Sequence, residues 1–300
     1  MVSSVVIHGH PVGAFEVSQA VAALTLGFGG GAQILRAHGA SGALLAAAAV
    51  VLGGLAYAVA FAFVERRFGQ AANFYFYSTA GGLLTLVGCT WLRQAPVWIF
   101  SGLALAAAWF GCRYDRQTLR YHSVAYLLAG ASTSGLLSLG IGHVLGRELI
   151  GDGLPSLSAW LALAATLATY GVLAPGGPGD AARARIPQAI AAALLVLGLQ
   201  AALVGTLSAV TGAAESGPML ATIRTGMLAA LSLGVAEAGC RFGKRELEWL
   251  VYPMLALGGL KLLMEDLPSG RAATLSVSFL LYGTALTLAP RLARAGRGRN

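Results

Sequence analysis

Long apolar runs alternate with short polar segments along the whole chain. Since about 20 apolar residues cross the hydrocarbon core of a bilayer as a helix, nine of these runs predict transmembrane helices. The predicted spans are Ser41–Val64, Ser78–Leu92, Pro96–Cys112, Ser123–Leu145, Leu157–Leu173, Pro187–Ala213, Met219–Gly239, Leu247–Met264 and Ala273–Pro290. The pattern therefore predicts an all-α fold, a polytopic transmembrane bundle built from antiparallel helical hairpins.

We expect the bundle to occupy residues 41–290, between an N-terminal lead at 1–40 and a basic tail at 291–300. The lead contains a further apolar run, Val17–Leu35, which is almost long enough to span. Three consecutive glycines and Gln33 weaken this run as a helix. Nine spans and ten spans are therefore alternatives at this point.

The composition supports a membrane protein. Of the 300 residues, 57% are hydrophobic and only 11% are charged, and the mean hydropathy is +0.72. A soluble domain usually has about 25% charged residues, because its surface faces water. The three cysteines are scattered, without the spacing of a disulfide framework or a metal site.

The basic residues predict which way the chain crosses the membrane. Cytoplasmic loops are enriched in Lys and Arg. The side that includes the C-terminal tail holds fourteen Lys and Arg residues, and the other side holds four. The fourteen are Arg66, Arg67, Arg113, Arg116, Arg120, Arg183, Arg185, Arg241, Lys244, Arg245, Arg291, Arg294, Arg297 and Arg299. The four are Arg36, Arg93, Arg147 and Arg271. This bias predicts a cytoplasmic C-terminus, with basic loops and tail at anionic lipid headgroups. It explains the net charge of +8 without a nucleic-acid partner.

Two turns have similar sequences. Residues Gly111–Leu119 read GCRYDRQTL, and Gly239–Leu247 read GCRFGKREL. At the same offset, LLAG at 127–130 aligns with LALG at 255–258 without a gap. The similarity predicts a repeated unit of a helix, a basic cytoplasmic turn and a returning helix. The two copies would cross the bilayer in the same direction, whereas many secondary transporters are built from inverted repeats.

The second of these hairpins holds ionisable residues within its spans: Arg224, Glu237 and Lys261. Charges at such positions are costly and indicate a functional site by default. Arg224 and Lys261 are placed near the external end. There, Lys261 can pair with Glu265 at i,i+4, and Arg224 can meet Glu265 or Asp266 across the hairpin. Glu237 lies near the cytoplasmic end, four residues before a basic residue of the turn.

Two interpretations of these charges stay open. In the first, they are locally paired or reach the interface along their aliphatic stems. In the second, Arg224, Lys261, Glu265 and Asp266 form a polar cluster at the external end of the 219–268 hairpin, where they line a cavity that binds an anion or a lipid headgroup. These four are the candidate ligand-binding residues.

The sequence predicts no catalytic residue, cofactor motif or metal site. The pair His8 and His10 lacks further ligands nearby. His122 and His143 lie at opposite ends of the fourth predicted span, roughly 30 Å apart by helix rise, so they cannot share a site within that helix. Gln200 and the Ser/Thr run of the fourth span are expected to form interhelical hydrogen bonds.

Two stretches resemble a known group of proteins. They are Glu246–Leu292, which reads ELEWLVYPMLALGGLKLLMEDLPSGRAATLSVSFLLYGTALTLAPRL, and Ala60–Ser78, which reads AFAFVERRFGQAANFYFYS. Both are similar to uncharacterised, many-spanning bacterial membrane proteins with no established activity. The resemblance implies a bacterial inner-membrane location and nothing about mechanism.

Three classes of function are compatible with the sequence. A non-enzymatic membrane protein with a structural, assembly or envelope-associated role, with an unidentified membrane-protein partner, is favoured. A transporter or lipid-handling protein that uses the external cluster is the second class, and it predicts a water-accessible cavity reaching Arg224 and Lys261. An intramembrane enzyme is the third, and it lacks a recognisable catalytic set.

Overall fold

The computed structural model describes residues 14–39, 41–61, 71–91, 97–146, 155–173, 181–213 and 216–295. In these residues every regular element is helical and no strand is found, which confirms the all-α prediction. The helices are α1 (Ala14–Leu24), α2 (Gly30–Ala37), α3 (Ala43–Val59), α4 (Ala71–Trp91), α5 (Val97–Arg113), α6 (Gln117–Thr133), α7 (Leu136–Leu145), α8 (Leu157–Val172), α9 (Ala181–Thr211), α10 (Gly217–Phe242), α11 (Arg245–Lys261) and α12 (Ala272–Ala295). A π-helical turn, Thr25–Gly29, joins α1 to α2, and a second one, Leu262–Asp266, follows α11 directly and leads into a single short helical turn, Leu267–Ser269.

Each predicted span coincides with one helix or, for the fourth, with a bent pair of helices. Within the described part of the chain, however, only four helical segments are both long and apolar enough to cross a membrane: Arg185–Thr211, Gly217–Phe242, Arg245–Asp266 and Ala272–Ala293. The bent pair α6 and α7 makes a fifth if it counts as one span. The predicted number of nine is not reached by this measure, because several apolar helices, such as the 16-residue α8, rise only about 24 Å at 1.5 Å per residue. The additional N-terminal span is not among these segments either.

The chain divides into two compact units, residues 1–100 and 101–300. In the first unit, α3 and α4 pack closely at glycines. A Cβ atom added at Gly53 would lie 2.9 Å from the carbonyl oxygen of Gly81, and one added at Gly88 would lie 2.9 Å from that of Ala46. Small residues let the backbones of membrane helices approach in this way.

In the second unit, the fourth predicted span is broken. Between α6 and α7 the chain bends by 77°, and Gly135 at the bend has a left-handed φ of +79°. The Ser/Thr run before the bend bonds to its own helix, since Ser132 and Thr133 donate to the carbonyl oxygens of Leu128 and Ala129. The expectation of interhelical bonds from this run is therefore wrong. Hydroxyls that bond back to the preceding turn are often associated with helix bending.

The two similar turns have matching geometry. Gly111 accepts a hydrogen bond from the amide of Arg116, and Gly239 accepts the corresponding bond from Lys244. Asp115 and Gly243, at equivalent positions, have left-handed φ values of +50° and +62°. The helices that follow, α6 and α11, each contain 17 residues. The same helix ending therefore recurs in both turns, with the chain reversing through a left-handed residue.

Both turns lie at one end of the second unit, because the end of α8 contacts each of them. The thiol of Cys112 donates to the carbonyl oxygen of Val172 at 3.3 Å. The hydroxyl of Tyr170 donates to Oε1 of Glu246 at 3.2 Å. From this end α11 runs towards the opposite end of the unit, where it meets the first half of α10.

Candidate functional site

The four candidate residues come together where the first half of α10 meets the end of α11. Arg224 lies on α10, Lys261 is the last residue of α11, and Glu265 and Asp266 belong to the π-helical turn after it. We call these four residues the charge cluster. Their proximity confirms the contacts predicted for this end of the hairpin, whereas the ligand-binding role of the cluster stays a prediction.

Lys261 holds one half of the cluster. Its ammonium group donates to the carbonyl oxygen of Ala221 at 3.1 Å, to Oγ1 of Thr225 at 2.7 Å and to Oδ1 of Asp266 at 2.9 Å. Thr225 in turn donates to Oδ2 of Asp266 at 2.7 Å. An ammonium group has three N–H donors, and these three acceptors share them with Oε2 of Glu265, which lies 2.7 Å from Nζ. Lys261, Thr225 and Asp266 thus form a closed ring of hydrogen bonds.

Arg224 and Glu265 form the other half. Nη1 of Arg224 lies 2.8 Å from Oε1 of Glu265, and Oε2 of Glu265 lies 2.7 Å from Nζ of Lys261. The second distance confirms the predicted i,i+4 pair. Nε of Arg224 also donates to Nδ1 of His143 at 3.3 Å. One carboxylate therefore bridges both cations.

The π-helical turn explains how Lys261 contacts two consecutive acidic residues. In an α-helix, position i+4 lies close to position i, but position i+5 is rotated away by about 140°. The amide of Leu267 bonds to the carbonyl of Leu262, an i→i+5 bond that widens the turn. Asp266, at i+5 from Lys261, is thereby brought to the same face as Glu265. Single π-turns inside α-helices are often found at functional sites.

The cluster is buried within the protein. The side chains of Lys261, Asp266 and Arg224 are 0%, 3% and 4% exposed, and that of Glu265 is 13% exposed. The local pairing of the first interpretation is therefore confirmed, whereas these side chains do not extend along their aliphatic stems into solvent. Two cations and two anions cancel, as burial requires, since an isolated buried charge is very unfavourable.

Neighbouring helices also contribute to the cluster. Gln200 on α9 donates to the carbonyl oxygen of Arg224 at 3.0 Å, which confirms its predicted interhelical bond. His143 is buried at the end of α7. Gly146 follows it with a left-handed φ of +66°, and any Cβ atom there would collide with the carboxylate of Glu265. A glycine at 146 therefore makes room for Glu265.

His143 is the residue that sequence reasoning missed. The sequence places it at one end of the fourth predicted span and assigns it no contact, whereas in the structure it is a buried hydrogen-bond partner of Arg224. The two residues are far apart in the sequence and on different helices, so helical periodicity carries no signal for their contact. Glu237 is exposed, and its predicted pairing with Arg241 is not found among the ion pairs of the described residues.

A small recess adjoins the cluster on one side. It has no room for a water molecule and touches only Asp266 of the four candidate residues; its other lining residues are Pro218, Ala221, Thr222, Gly270, Thr274, Leu275 and Ser278. Pockets for drug-sized ligands enclose about 300–1,000 Å³. In this conformation, then, the recess is not the water-accessible cavity at Arg224 and Lys261 that a transporter predicts.

Metal-ligating residues do not converge in the part of the chain that is described. No group of three or more His, Cys, Asp or Glu residues lies close enough there to hold a metal ion. His8 and His10 lie outside the described residues. Comparisons with protein-family models, curated proteins and solved structures find no match to this chain, so the resemblance to bacterial many-spanning proteins stays a prediction.

Proposed function

We propose that this chain is a many-spanning protein of a bacterial inner membrane, with a structural, assembly or envelope-associated role rather than an enzymatic one. The observation that carries the proposal is the closed charge cluster. Both cations and both anions are satisfied by one another and by neighbouring polar groups. Such an arrangement fixes the positions of α10 and α11 relative to each other and pairs the four charges within the protein.

All nine predicted spans belong to the membrane-embedded body in this proposal. The shorter apolar helices, such as α3 and α8, cross together with the longer ones. A short helix costs a fraction of a kcal/mol per Å of mismatch, and local thinning of the bilayer accommodates it. Exposed apolar side chains such as Leu44 on α3 and Leu157 on α8 suit contact with lipid.

The two hairpins around Gly111 and Gly239 are copies of one unit in this proposal. Support comes from the matching hydrogen bonds and left-handed residues of the turns and from the equal lengths of α6 and α11. Their common end is cytoplasmic, in keeping with the excess of Lys and Arg there. The C-terminus is on the same side.

Cysteine labelling tests the orientation. After Cys89, Cys112 and Cys240 are replaced by alanine, single cysteines are introduced as Ser269→Cys and Arg245→Cys. A membrane-impermeant maleimide added to intact cells should label the first position and not the second. Equal labelling of both from outside would contradict the proposed topology.

Purification in a mild detergent tests the assembly role. A partner membrane protein should co-purify with the full chain in a fixed ratio. The chain is compared with the variant Lys261→Met, in which the charge cluster is opened. If α10 and α11 form part of the surface that binds the partner, this variant should lose the partner. A monomer that purifies without any partner would contradict the assembly role.

Oxyanion binding at the charge cluster is a second candidate function. The observation that favours it is the unequal burial of the cluster: Glu265 is the most exposed of the four, yet it contacts both cations. Arginine and lysine that hold a carboxylate in this way have the chemistry to hold a free carboxylate or a lipid phosphate. Loss of binding in Arg224→Gln, measured with acetate or phosphate as the probe, tests this candidate.

A further inference from the structure

We propose that the exposed face of α11 binds one anionic phospholipid, which lies along the helix with its phosphate at Arg245 and its ester groups at Trp249 and Tyr252. We call these three residues the headgroup stripe. The inference rests on the membrane embedding in the proposed function and goes beyond the general attraction of basic loops to anionic headgroups. It assigns a single bound molecule to one face of one helix.

The headgroup stripe lies on one side of α11. Spacings of four and three residues bring its members within about 60° of one another around the helix axis, at 3.6 residues per turn. Arg245 is exposed, and Trp249 and Tyr252 are 42% and 44% exposed. The same side continues to Leu260, which is also exposed. The opposite side of the helix is buried, at residues such as Val251.

The order of these residues along the helix matches the order of groups in one lipid leaflet. They belong to Arg245–Asp266, a segment that is long and apolar enough to cross a membrane. By helix rise, Trp249 lies about 6 Å and Tyr252 about 10 Å from Arg245 along the axis. A cation is thus followed by two amphipathic rings and then by aliphatic residues. Phosphate, glycerol esters and acyl chains follow one another in the same order, and Trp and Tyr are enriched at this level.

The polar atoms of the stripe are available to a lipid. The indole N–H of Trp249 and the hydroxyl of Tyr252 are hydrogen-bond donors, and among the described residues neither is found in a hydrogen bond with the protein. Arg245 is likewise absent from the ion pairs of the described residues. Because unsatisfied donors become costly as water becomes scarce towards the bilayer core, ester carbonyls are the acceptors that suit these two rings. Arginine binds a phosphate through paired N–H donors.

The first hairpin shows that the stripe is not a general requirement of such a helix. At the equivalent positions, 128 residues earlier, α6 has Gln117, Tyr121 and Val124. Gln117 has no charge for a phosphate, and Val124 is buried at 3% exposed. Since the two turns have the same backbone hydrogen bonds, folding of the turn does not explain the cation and the second ring on α11. The difference assigns the lipid to the second hairpin.

Charge complementarity favours an anionic lipid over a zwitterionic one. Arg241 and Arg245 are both exposed at the start of the stripe. The two carboxylates of the same turn, Glu246 and Glu248, are each only 3% exposed, so the surface here is cationic. A zwitterionic headgroup such as phosphatidylcholine brings an ammonium group of its own to this surface, whereas phosphatidylglycerol brings none.

The test measures lipid retention by the full chain in a mild detergent. Phosphatidylglycerol and phosphatidylcholine are titrated separately, and native mass spectrometry gives an apparent Kd for the first bound lipid. The unmodified chain should bind phosphatidylglycerol at least fivefold more tightly than phosphatidylcholine. Arg245→Gln should abolish this preference, and Arg245→Lys should keep part of it. The control Arg113→Gln removes an exposed cation of the first turn and should change the affinity by less than twofold.

A second variant tests the contact with the ester group. Tyr252→Phe removes only the hydroxyl and keeps the ring. It should weaken binding of diester phosphatidylglycerol at least threefold and leave binding of the diether analogue unchanged, because the ether linkage has no carbonyl acceptor. A purely structural role of Tyr252 would affect both lipids equally, and that result would contradict the assigned contact.

The outcomes separate this inference from the function on which it rests. Equal binding of the two lipids by the unmodified chain, or an unchanged preference in Arg245→Gln, would overturn the lipid site and leave the proposed membrane protein intact. Cross-linking of Trp249→Cys between two copies of the chain, in phosphatidylglycerol as in phosphatidylcholine, would show that a second copy covers this face and would also overturn it. The co-purification of a partner protein is a separate measurement, so its failure would affect the assembly role alone.

Discussion

The hairpins α5–α6 and α10–α11, which turn after Gly111 and Gly239, are alike at one end and different at the other. Their turns have the same backbone hydrogen bonds, and the returning helices have the same length. At equivalent positions beyond Thr133 and Lys261, the first hairpin bends by 77° and the second widens into a π-turn. The shared features indicate what a hairpin of this type needs in order to fold, and the differing ends indicate where each hairpin is specialised.

The largest expected effect is a loss of stability at the end of the second hairpin that has no equivalent at the end of the first. Lys261→Met removes the centre of the hydrogen-bonded ring and leaves Asp266 buried without its counter-charge. We expect the free energy of unfolding to fall by about 3–5 kcal/mol, measured by denaturation in mixed micelles. The equivalent substitution in the first hairpin, Thr133→Met, is a matched control on an exposed position and should change stability by less than about 0.5 kcal/mol.

A double variant sharpens this prediction. Lys261→Met/Asp266→Leu removes both members of this ion pair and leaves no unpaired charge between them. Its loss of stability should be smaller than the sum of the two single losses, because residues in contact are not independent. Additive losses would indicate that Lys261 and Asp266 do not stabilise each other.

The shared end should respond similarly in both hairpins. A Cβ atom at Gly111 would lie 3.0 Å from the amide nitrogen of Arg120, and one at Gly239 would lie 3.3 Å from that of Glu248. Gly111→Ala and Gly239→Ala should each lower stability by about 1–3 kcal/mol through overpacking, with the larger loss at Gly111. Gly234→Ala, which meets open space in the same helix as Gly239, is the control and should be neutral or stabilising.

The left-handed residue of the second turn gives a smaller effect. Gly243→Ala places a side chain at a φ of +62°, which costs about 1–2 kcal/mol. Gly243→Asn should cost less, because asparagine tolerates the left-handed region. Equal losses in the two variants, again in mixed micelles, would mean that packing rather than backbone conformation requires glycine at this position.

The smallest effect concerns a contact for which the second turn has no counterpart. Nη2 of Arg120 lies 3.0 Å from Oδ1 of Asp115, whose side chain is 81% exposed. Since Gly243 stands at the position equivalent to Asp115, the second hairpin folds without such a pair. Asp115→Asn should therefore cost below about 1 kcal/mol. The cost should shrink further in 1 M NaCl, where exposed pairs are screened.

The sequence predicted the helices well, because apolar runs of this length have few other structures available in a bilayer. It also predicted the Lys261–Glu265 pair, which regular helix geometry places at i,i+4. It did not predict the contact of Asp266 with Lys261, since a π-turn shifts the register in a way that a period of 3.6 residues cannot express. The sequence did not predict the bend at Gly135 for a related reason. The apolar run continues through this residue, so hydropathy alone predicts one straight span.

The partners from other helices were only partly predictable. The polar character of Gln200 within an apolar run indicated an interhelical bond, and the structure supplies its acceptor in Arg224. His143 gave no comparable signal, because a histidine at the end of a span is equally compatible with the interface. Its contact with Arg224 depends on how the bent α7 packs, which is a property of the assembled bundle rather than of any one helix.

The neutral charge cluster also has a consequence for the response of this protein to membrane voltage. A single elementary charge that crosses the whole membrane field gains or loses about 2.3 kcal/mol per 100 mV. Because Arg224, Lys261, Glu265 and Asp266 sum to zero, voltage does no net work on them when they move together.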